Sequence, residues 1–312
     1  MSTATPLVAI VGPTASGKSA LGIRVAERMG GEVLACDSTQ VYRHFDIGTA
    51  KPSPEEQRRV AHHLLDLVEP EEVFTAGDYR RRAIEVLDSL RARSVLPVFT
   101  VGTGLYLRAL LEGLADAPAR SEELRARLRK QADRRGAVYL HRMLLRLDPS
   151  SAARIAATDL PKMIRAIEVC LEAGRPMSEV HRQPRARLEG FSPIRVGLLP
   201  PRARLYNRIE KRVEAMLAAG WLDEVRGLLA CGLDPAEKPF QFIGYSELRA
   251  HLGGVVELSQ AVKSIQQATR RYAKRQITWF KREPGVEWFA GFGDDLETAN
   301  TVLAYLAKQV QA

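Results

Sequence analysis

Short apolar runs rich in β-branched residues alternate with segments of helical spacing along the first third of the chain. Leu7 to Val11 and Val33 to Cys36 read as buried strands, and Ser19 to Met29 between them carries helical periodicity. Thr75 followed by Asp78 resembles a capping box and predicts a helix through about Leu90. Val95 to Thr100 is a further buried-type strand, ending in Gly102-Thr103-Gly104 before a helix from Leu105. Strands that alternate with helices imply a parallel sheet. Past Pro118 the pattern changes: about Ser121 to Val180 has helical spacing, high charge and no convincing strand. Ile194 to Leu199 then reads as a strand, Arg202 to Ala219 and Leu258 to Lys281 as helices, Val286 to Phe289 as a late strand and Leu296 to Val310 as a closing helix. The predicted fold is an α/β core, a parallel sheet with helices on both faces, carrying an inserted helical domain. The expected divisions are residues 1–117, 118–190 and 191–312.

Composition changes this picture little. The 312 residues are 46% hydrophobic and 27% charged, as in an ordinary globular protein. No stretch reaches the roughly 18 uncharged apolar residues that span a membrane, and the N-terminus lacks the basic opening of a secretory signal. Cys36, Cys170 and Cys231 are odd in number and far apart, which fits a reducing, cytoplasmic setting. His62 and His63 are adjacent and read as structural residues, since neighbours on a helix cannot both face one ion.

Charge changes it more. The net charge is +9, which suggests a polyanionic partner. From Ser259 to Arg282 there is no acidic residue, while Lys263, Arg270, Arg271, Lys274, Arg275, Lys281 and Arg282 are basic. A nucleic-acid face suits that stretch. A second run, Arg120 to Arg146, is diluted by Glu122, Glu123 and Asp133 and reads equally well as a solvated surface.

The chemistry begins at Gly12-Pro13-Thr14-Ala15-Ser16-Gly17-Lys18-Ser19, a G-x-x-x-x-G-K-[ST] loop between a predicted strand and a predicted helix. Its backbone N–H groups and the helix N-terminus suit phosphate oxygens. Lys18 would meet the terminal phosphate, and Ser19 would ligate magnesium. A nucleoside triphosphatase also needs an acid at the end of a second apolar strand. The Val95–Phe99 strand ends in Thr100 with no carboxylate before Glu112, so ATP hydrolysis is not implied. Asp37 closes the second strand, where such sheets place ligands beyond the carboxyl ends of their strands. There it would accept a proton from a nucleophile.

These motifs continue in order along the chain. Asp37-Ser38-Thr39-Gln40-Val41-Tyr42-Arg43, Asp46-Ile47-Gly48-Thr49-Ala50-Lys51-Pro52 and Gly102-Thr103-Gly104-Leu105-Tyr106 are followed by Ile243-Gly244-Tyr245 and by Thr269 to Phe280. Together with the P-loop they resemble the bacterial tRNA dimethylallyltransferase family over nearly the whole length. Val101 departs from the pattern, standing where the family usually has a glycine. The resemblance implies transfer of a dimethylallyl group from dimethylallyl diphosphate to N6 of the adenosine just 3′ of the anticodon in tRNA. It implies Thr103 as the partner of Asp37 at the acceptor amine; magnesium is expected as cofactor at the P-loop, and a monomer with no membrane association is expected. Arg208 and Arg212, on one face of the helix after the return strand, would be further diphosphate contacts, although the polar face of an amphipathic helix explains them too. By the same resemblance the tRNA site is lined by Asp37, Ser38, Thr39, Gln40 and Thr103, by Pro161, Lys162, Met163, Ile164 and Arg165, and by Gln241, Phe242, Ile243, Gly244, Tyr245 and Ser246. Lys274, Arg275, Gln276, Ile277, Thr278, Trp279, Phe280 and Lys281 complete it. A small-molecule kinase would explain the P-loop but leave the acid-free basic stretch unused. A nucleotide-switch module would need a magnesium-binding acid that the sequence does not show.

Overall fold

The computed structural model describes residues 4–311. Its core opens with strand β1 (Thr5–Val11), helix α1 (Lys18–Met29), β2 (Gly31–Cys36), α2 (Pro54–Arg59), β3 (His62–His63), α3 (Ala76–Ala92), β4 (Leu96–Val101) and α4 (Gly104–Glu112). The helices α5 (Glu122–Arg135), α6 (Ala137–Leu147), α7 (Pro149–Ala152), α8 (Leu160–Ala173) and α9 (Met177–Val180) follow. The chain then adds β5 (Phe191–Leu198), α10 (Arg202–Ala218), α11 (Trp221–Ala230), α12 (Tyr245–Leu252), α13 (Leu258–Phe280), β6 (Val286–Phe289) and α14 (Leu296–Gln311). Two compact units result, one of residues up to Leu111 together with those from Leu188 onward, the other Glu112–Arg187.

In the first unit the six strands run parallel in the order β3-β2-β4-β1-β5-β6. Leu7 to Val11 are fully buried, so β1 is packed on both faces, as the unbroken apolar run predicts. Because β4 lies between β2 and β1, the loops after β1, β2 and β4 emerge side by side. Gly102 N and Thr103 N both donate to Cys36 O, which ties the β4 loop to the end of β2. The Thr75–Asp78 capping box is present and starts α3. His62 and His63 form a two-residue edge strand instead of helix. His63 Nε2 meets Glu32 Oε2 at 2.6 Å and His62 Nδ1 meets Val60 O at 2.7 Å, so both are structural.

The second unit is held by an apolar seam of α5, α6 and α8 that includes Leu128, Leu140, Leu144, Met163, Ile164 and Ile167. Two buried carboxylates are satisfied within it. Glu168 accepts from Ser121 N, Arg125 and Arg165. Asp148 accepts from the amides and hydroxyls of Ser151 and Ser178, and these bonds outweigh its burial and hold its pKa at about 2.

Candidate active site

Gly12 to Ser19 joins β1 to α1 as the motif requires. Gly17 adopts φ 85°, and a Cβ there would collide with Asp294 and Gly293, so only glycine allows that approach. Lys18 Nζ donates to Gly12 O at 3.0 Å and Pro13 O at 2.8 Å. Burial and, next, the positive charge of Arg212 lower its pKa to about 7, although Asp37 pulls the other way. Ser16 Oγ is buried and has no hydrogen-bond partner among the described residues.

Asp37 follows β2. Its Oδ1 accepts from Thr39 N at 2.9 Å and from Thr39 Oγ1 at 2.7 Å, which fixes the carboxylate plane. Its Oδ2 faces Gly102, where any side chain would strike it. Thr103 Oγ1 accepts from Ser38 N at 2.9 Å and donates to Ser38 Oγ at 3.1 Å. These two bonds tie the β4 loop to the loop that carries Asp37.

Arg208 and Arg212 stand one turn apart on α10, and both line the cavity over the P-loop. This separates them from the ordinary polar face of a helix. Arg208 is paired with Asp294. Arg212 has no ion-pair partner among the described residues; burial and the charge of Arg208 lower its pKa, with Asp37 opposing.

Two cavities meet here. The first, about 540 Å³, is lined by residues 14–20 of the P-loop and by Lys51, Arg208, Lys211 and Arg212, with Asp37 and Glu56 as its acids. The second, about 340 Å³, is lined by Ile209, Val213, Met216, Trp221, Phe242, Ile243 and Ile265, with Ser38, Thr39, Gln241, Thr269 and Arg275 as polar groups. Thr14, Asp37, Thr49, Arg212 and Tyr272 line both. Asp37 thus sits at the junction of a cationic compartment and an apolar one. Among the described residues no three His, Cys, Asp or Glu gather as a metal cage.

The residues expected at an RNA surface divide. Lys274, Arg275, Thr278 and Lys281 are exposed along α13 and just beyond it, with Ile277 and Trp279 half-buried beside them. Arg108 stacks on the Trp279 ring at 4.6 Å. Gln276 and Phe280 are buried, at 5% and 1% exposure; Phe280 belongs to the core and Gln276 lines the first cavity. Gln276 instead cross-links the P-loop to the β4 loop, accepting from Thr14 N at 2.7 Å and donating to Gly102 O at 2.8 Å. Tyr272 OH donates to the same carbonyl.

Tyr245 is likewise buried, which corrects its expected surface role. Its hydroxyl accepts from Gly48 N at 3.1 Å and donates to Glu224 Oε1 at 2.6 Å, propping the 46–51 loop. Gly244 is buried beside it, Gln241 is exposed, and Phe242, Ile243 and Ser246 are half-buried. Gln40 is half-buried, and its amide donates to Thr49 O and Ala50 O. In the second unit Met163 and Ile164 lie in the core, so their side chains cannot meet a ligand. Pro161 and Lys162 are exposed, and Arg165 is held by Glu168 and Pro118 O. Three site residues are not marked by the sequence, Tyr272 at the junction, Glu224 as a loop clamp and Asp294 as the partner of Arg208, and Gln276, expected at the tRNA site, serves as a cross-link. Each reaches its partner across a long stretch of chain, so no local pattern marks it.

The profile of the IPP transferase family matches residues 40–283. A tRNA dimethylallyltransferase of Solibacter usitatus is 49% identical over 97% of this chain and 98% of its own length. That of Koribacter versatilis is 51% identical over 93% and 94%. The crystal structure of a tRNA isopentenylpyrophosphate transferase from Bacillus halodurans superposes with a TM-score of 0.73, at 34% identity over 98% of this chain and 97% of that one. A eukaryotic dimethylallyltransferase acting on tRNA shares the fold, with a TM-score of 0.81 at 24% identity over 97% of this chain and 77% of that one. The α/β P-loop core, the ordered motifs and these similarities place the chain in the IPP transferase family, among the bacterial tRNA dimethylallyltransferases.

Proposed function

We propose that the protein transfers a dimethylallyl group from dimethylallyl diphosphate to N6 of the adenosine just 3′ of the anticodon in tRNA, releasing diphosphate. The observation that carries this reading is the position of Asp37, shared by a cationic cavity and an apolar one. The first suits a diphosphate, and the second suits an unstacked base and the prenyl carbon it attacks. In the reaction the N6–C1 bond forms, the C1–O bond to diphosphate breaks, and the N6 proton passes to Asp37 Oδ2. The exocyclic amine is a weak nucleophile because its lone pair is delocalised into the ring, so a fixed acceptor that tightens as the bond forms is needed. Such a group contributes typically 10²–10⁴-fold to rate. Charge that develops on the leaving diphosphate falls to Lys18, Arg208, Arg212 and the P-loop amides, each good donor being worth about 3–4 kcal/mol.

Magnesium fits this donor set. It keeps several waters, takes phosphate oxygens and needs few protein ligands. The Ser19 hydroxyl at the first cavity would hold it, and the ion would supply further positive charge at the leaving group. An adenosine must leave its stack to reach Asp37, as bases do in other modifying enzymes. The exposed cations of α13 would grip the flanking phosphates, and the Trp279 plane lies beside them. Among the described residues no helix is long and apolar enough to cross a membrane; with tRNA as its substrate the protein would work in the cytoplasm, and we take it to act as a monomer.

The test is incubation with magnesium, labelled dimethylallyl diphosphate and unmodified tRNA, followed by digestion to nucleosides. Label in an N6-prenylated adenosine from the anticodon loop is expected, with free adenosine monophosphate unlabelled in a parallel reaction. Label in the mononucleotide alone would overturn the reading in favour of a free-nucleotide prenyltransferase.

A further inference from the structure

The chain after β6 returns to the P-loop, beyond the span matched by the family profile, which ends at residue 283. Gly293 N donates to Ser16 O at 2.8 Å, and Gly293 and Asp294 pack directly on Gly17. Phe292, 5% exposed, sits in a small cluster with Ala15, Leu205 and Ile209. Its ring carries Arg208 at 4.7 Å and Arg204 at 5.4 Å. Asp294 meets the Arg208 guanidinium with two N–H···O bonds, Nη1 to Oδ1 at 2.8 Å and Nη2 to Oδ2. Arg208 lines the first cavity, and Asp294 is not among the lining residues. The carboxylate therefore acts on the cavity through the arginine.

We propose that Asp294 is a positioning residue for diphosphate recognition, holding the Arg208 guanidinium at the rim of the first cavity before the ligand arrives. This rests on the reading of that cavity as the diphosphate site. A free arginine side chain carries about 2 kcal/mol of rotamer entropy. A bidentate carboxylate on one edge and an aromatic face below it remove most of that freedom in advance, so less is lost on binding. The two bonds engage one N–H on each terminal nitrogen, which leaves the other N–H groups for phosphate oxygens. The clamp also offsets repulsion. Lys18, Arg208 and Arg212 crowd one cavity, and the Arg208 charge already disfavours protonated Arg212. Burial pushes the Asp294 carboxyl up, but the Arg208 hydrogen bonds and then the charges of Arg208 and Arg24 outweigh it and keep the group ionised.

The experiment is a double-mutant cycle read by calorimetric binding of inorganic pyrophosphate with magnesium to the full-length enzyme. Asp294→Ala should weaken binding roughly tenfold, within the range for coupled neighbours. Asp294→Glu should recover most of the loss, and in an Arg208→Ala background the Asp294 change should cost nothing further. Asp294→Asn, which keeps the side-chain shape, serves if the alanine variant does not fold. In steady state, KM for dimethylallyl diphosphate should rise more than kcat falls, with KM for tRNA unmoved. Pyrophosphate binding as tight as wild type or tighter would overturn the proposal, as would an equal loss with and without Arg208. Failure of the wild-type enzyme to use dimethylallyl diphosphate would instead sink the proposed reaction, and the pyrophosphate cycle would still decide the role of Asp294.

Discussion

The two cavities that meet at Asp37 are walled by opposite chemistry. One gathers Lys18, Lys51, Arg208, Lys211 and Arg212 around the N-terminus of α1; the other gathers Ile209, Val213, Met216, Trp221 and Ile265. Helix α10 supplies both walls: Arg208 faces the first cavity, Ile209, Val213 and Met216 face the second, and Arg212 lines both. The contrast teaches where charge is handled. Under the proposed function, negative charge would leave on the cationic side, a neutral base would wait on the apolar side, and the single proton transfer would belong to the residue between them. A change on either side should then disturb one substrate, and a change at the junction should disturb neither binding event but stop the chemistry.

The largest effect belongs to the junction. Asp37→Asn keeps the side-chain shape and should cost about 10²–10⁴-fold in turnover, with affinities for both substrates close to wild type. A loss below about tenfold in a rapid-quench assay would break the comparison at its centre. On the cationic side, Lys18→Met should weaken dimethylallyl diphosphate roughly 10–100-fold, the cost of a charged hydrogen bond, and leave tRNA affinity unmoved. Calorimetry and filter retention measure the two arms.

The same lysine sharpens the comparison through pH. Its pKa of about 7 in the free site is lowered by burial and by Arg212, and a bound diphosphate would raise it. Below about pH 7 the amine is already charged, so binding takes up few protons. Above pH 7 binding must take up a proton, approaching one per site near pH 8, and affinity falls as pH rises. Titrations in buffers of different ionisation enthalpy read this directly. Lys18→Met should abolish the uptake; uptake that persists in the variant would place the titrating group elsewhere.

The smallest effect lies on the RNA side. Three of the four arginines of α3 are matched by acids, Arg81 with Asp78, Arg82 with Glu85 and Arg91 with Asp88, and the fourth, Arg80, donates to Ala109 O and Leu110 O. On α13 only Arg270 has such a partner among the described residues, Glu210, while Lys274 and Arg275 have none. Neither has a carboxylate to neutralise it, although Arg275 lies over the Tyr272 ring at 5.6 Å, and such charge suits phosphates. Replacing Lys274 and Arg275 with alanine should flatten the salt dependence of tRNA binding by roughly one unit of slope per lost contact. Equal slopes for wild type and variant would mean that this face does not meet RNA.

Much of this was legible in the chain because it is local. The P-loop spacing, the strand that ends at Asp37 and the acid-free run around α13 are read from neighbouring residues, and the structure keeps each in its expected element. The 163–164 correction was also legible: Met163, Ile164, Ala166, Ile167, Val169 and Cys170 form an apolar helical stripe, which points those side chains inward. Tyr245 was harder, because an aromatic within a motif reads the same whether it stacks on a base or props a loop. The Gln276 cross-link spans 262 residues and the Arg208–Asp294 clamp 86, distances at which only the assembled fold defines neighbours.

Product inhibition by inorganic pyrophosphate tests the division into two compartments most directly. Pyrophosphate should compete with dimethylallyl diphosphate, and tRNA should bind with the same affinity whether or not pyrophosphate fills the first cavity. Displacement of tRNA by pyrophosphate, in kinetics and in filter binding alike, would contradict that division.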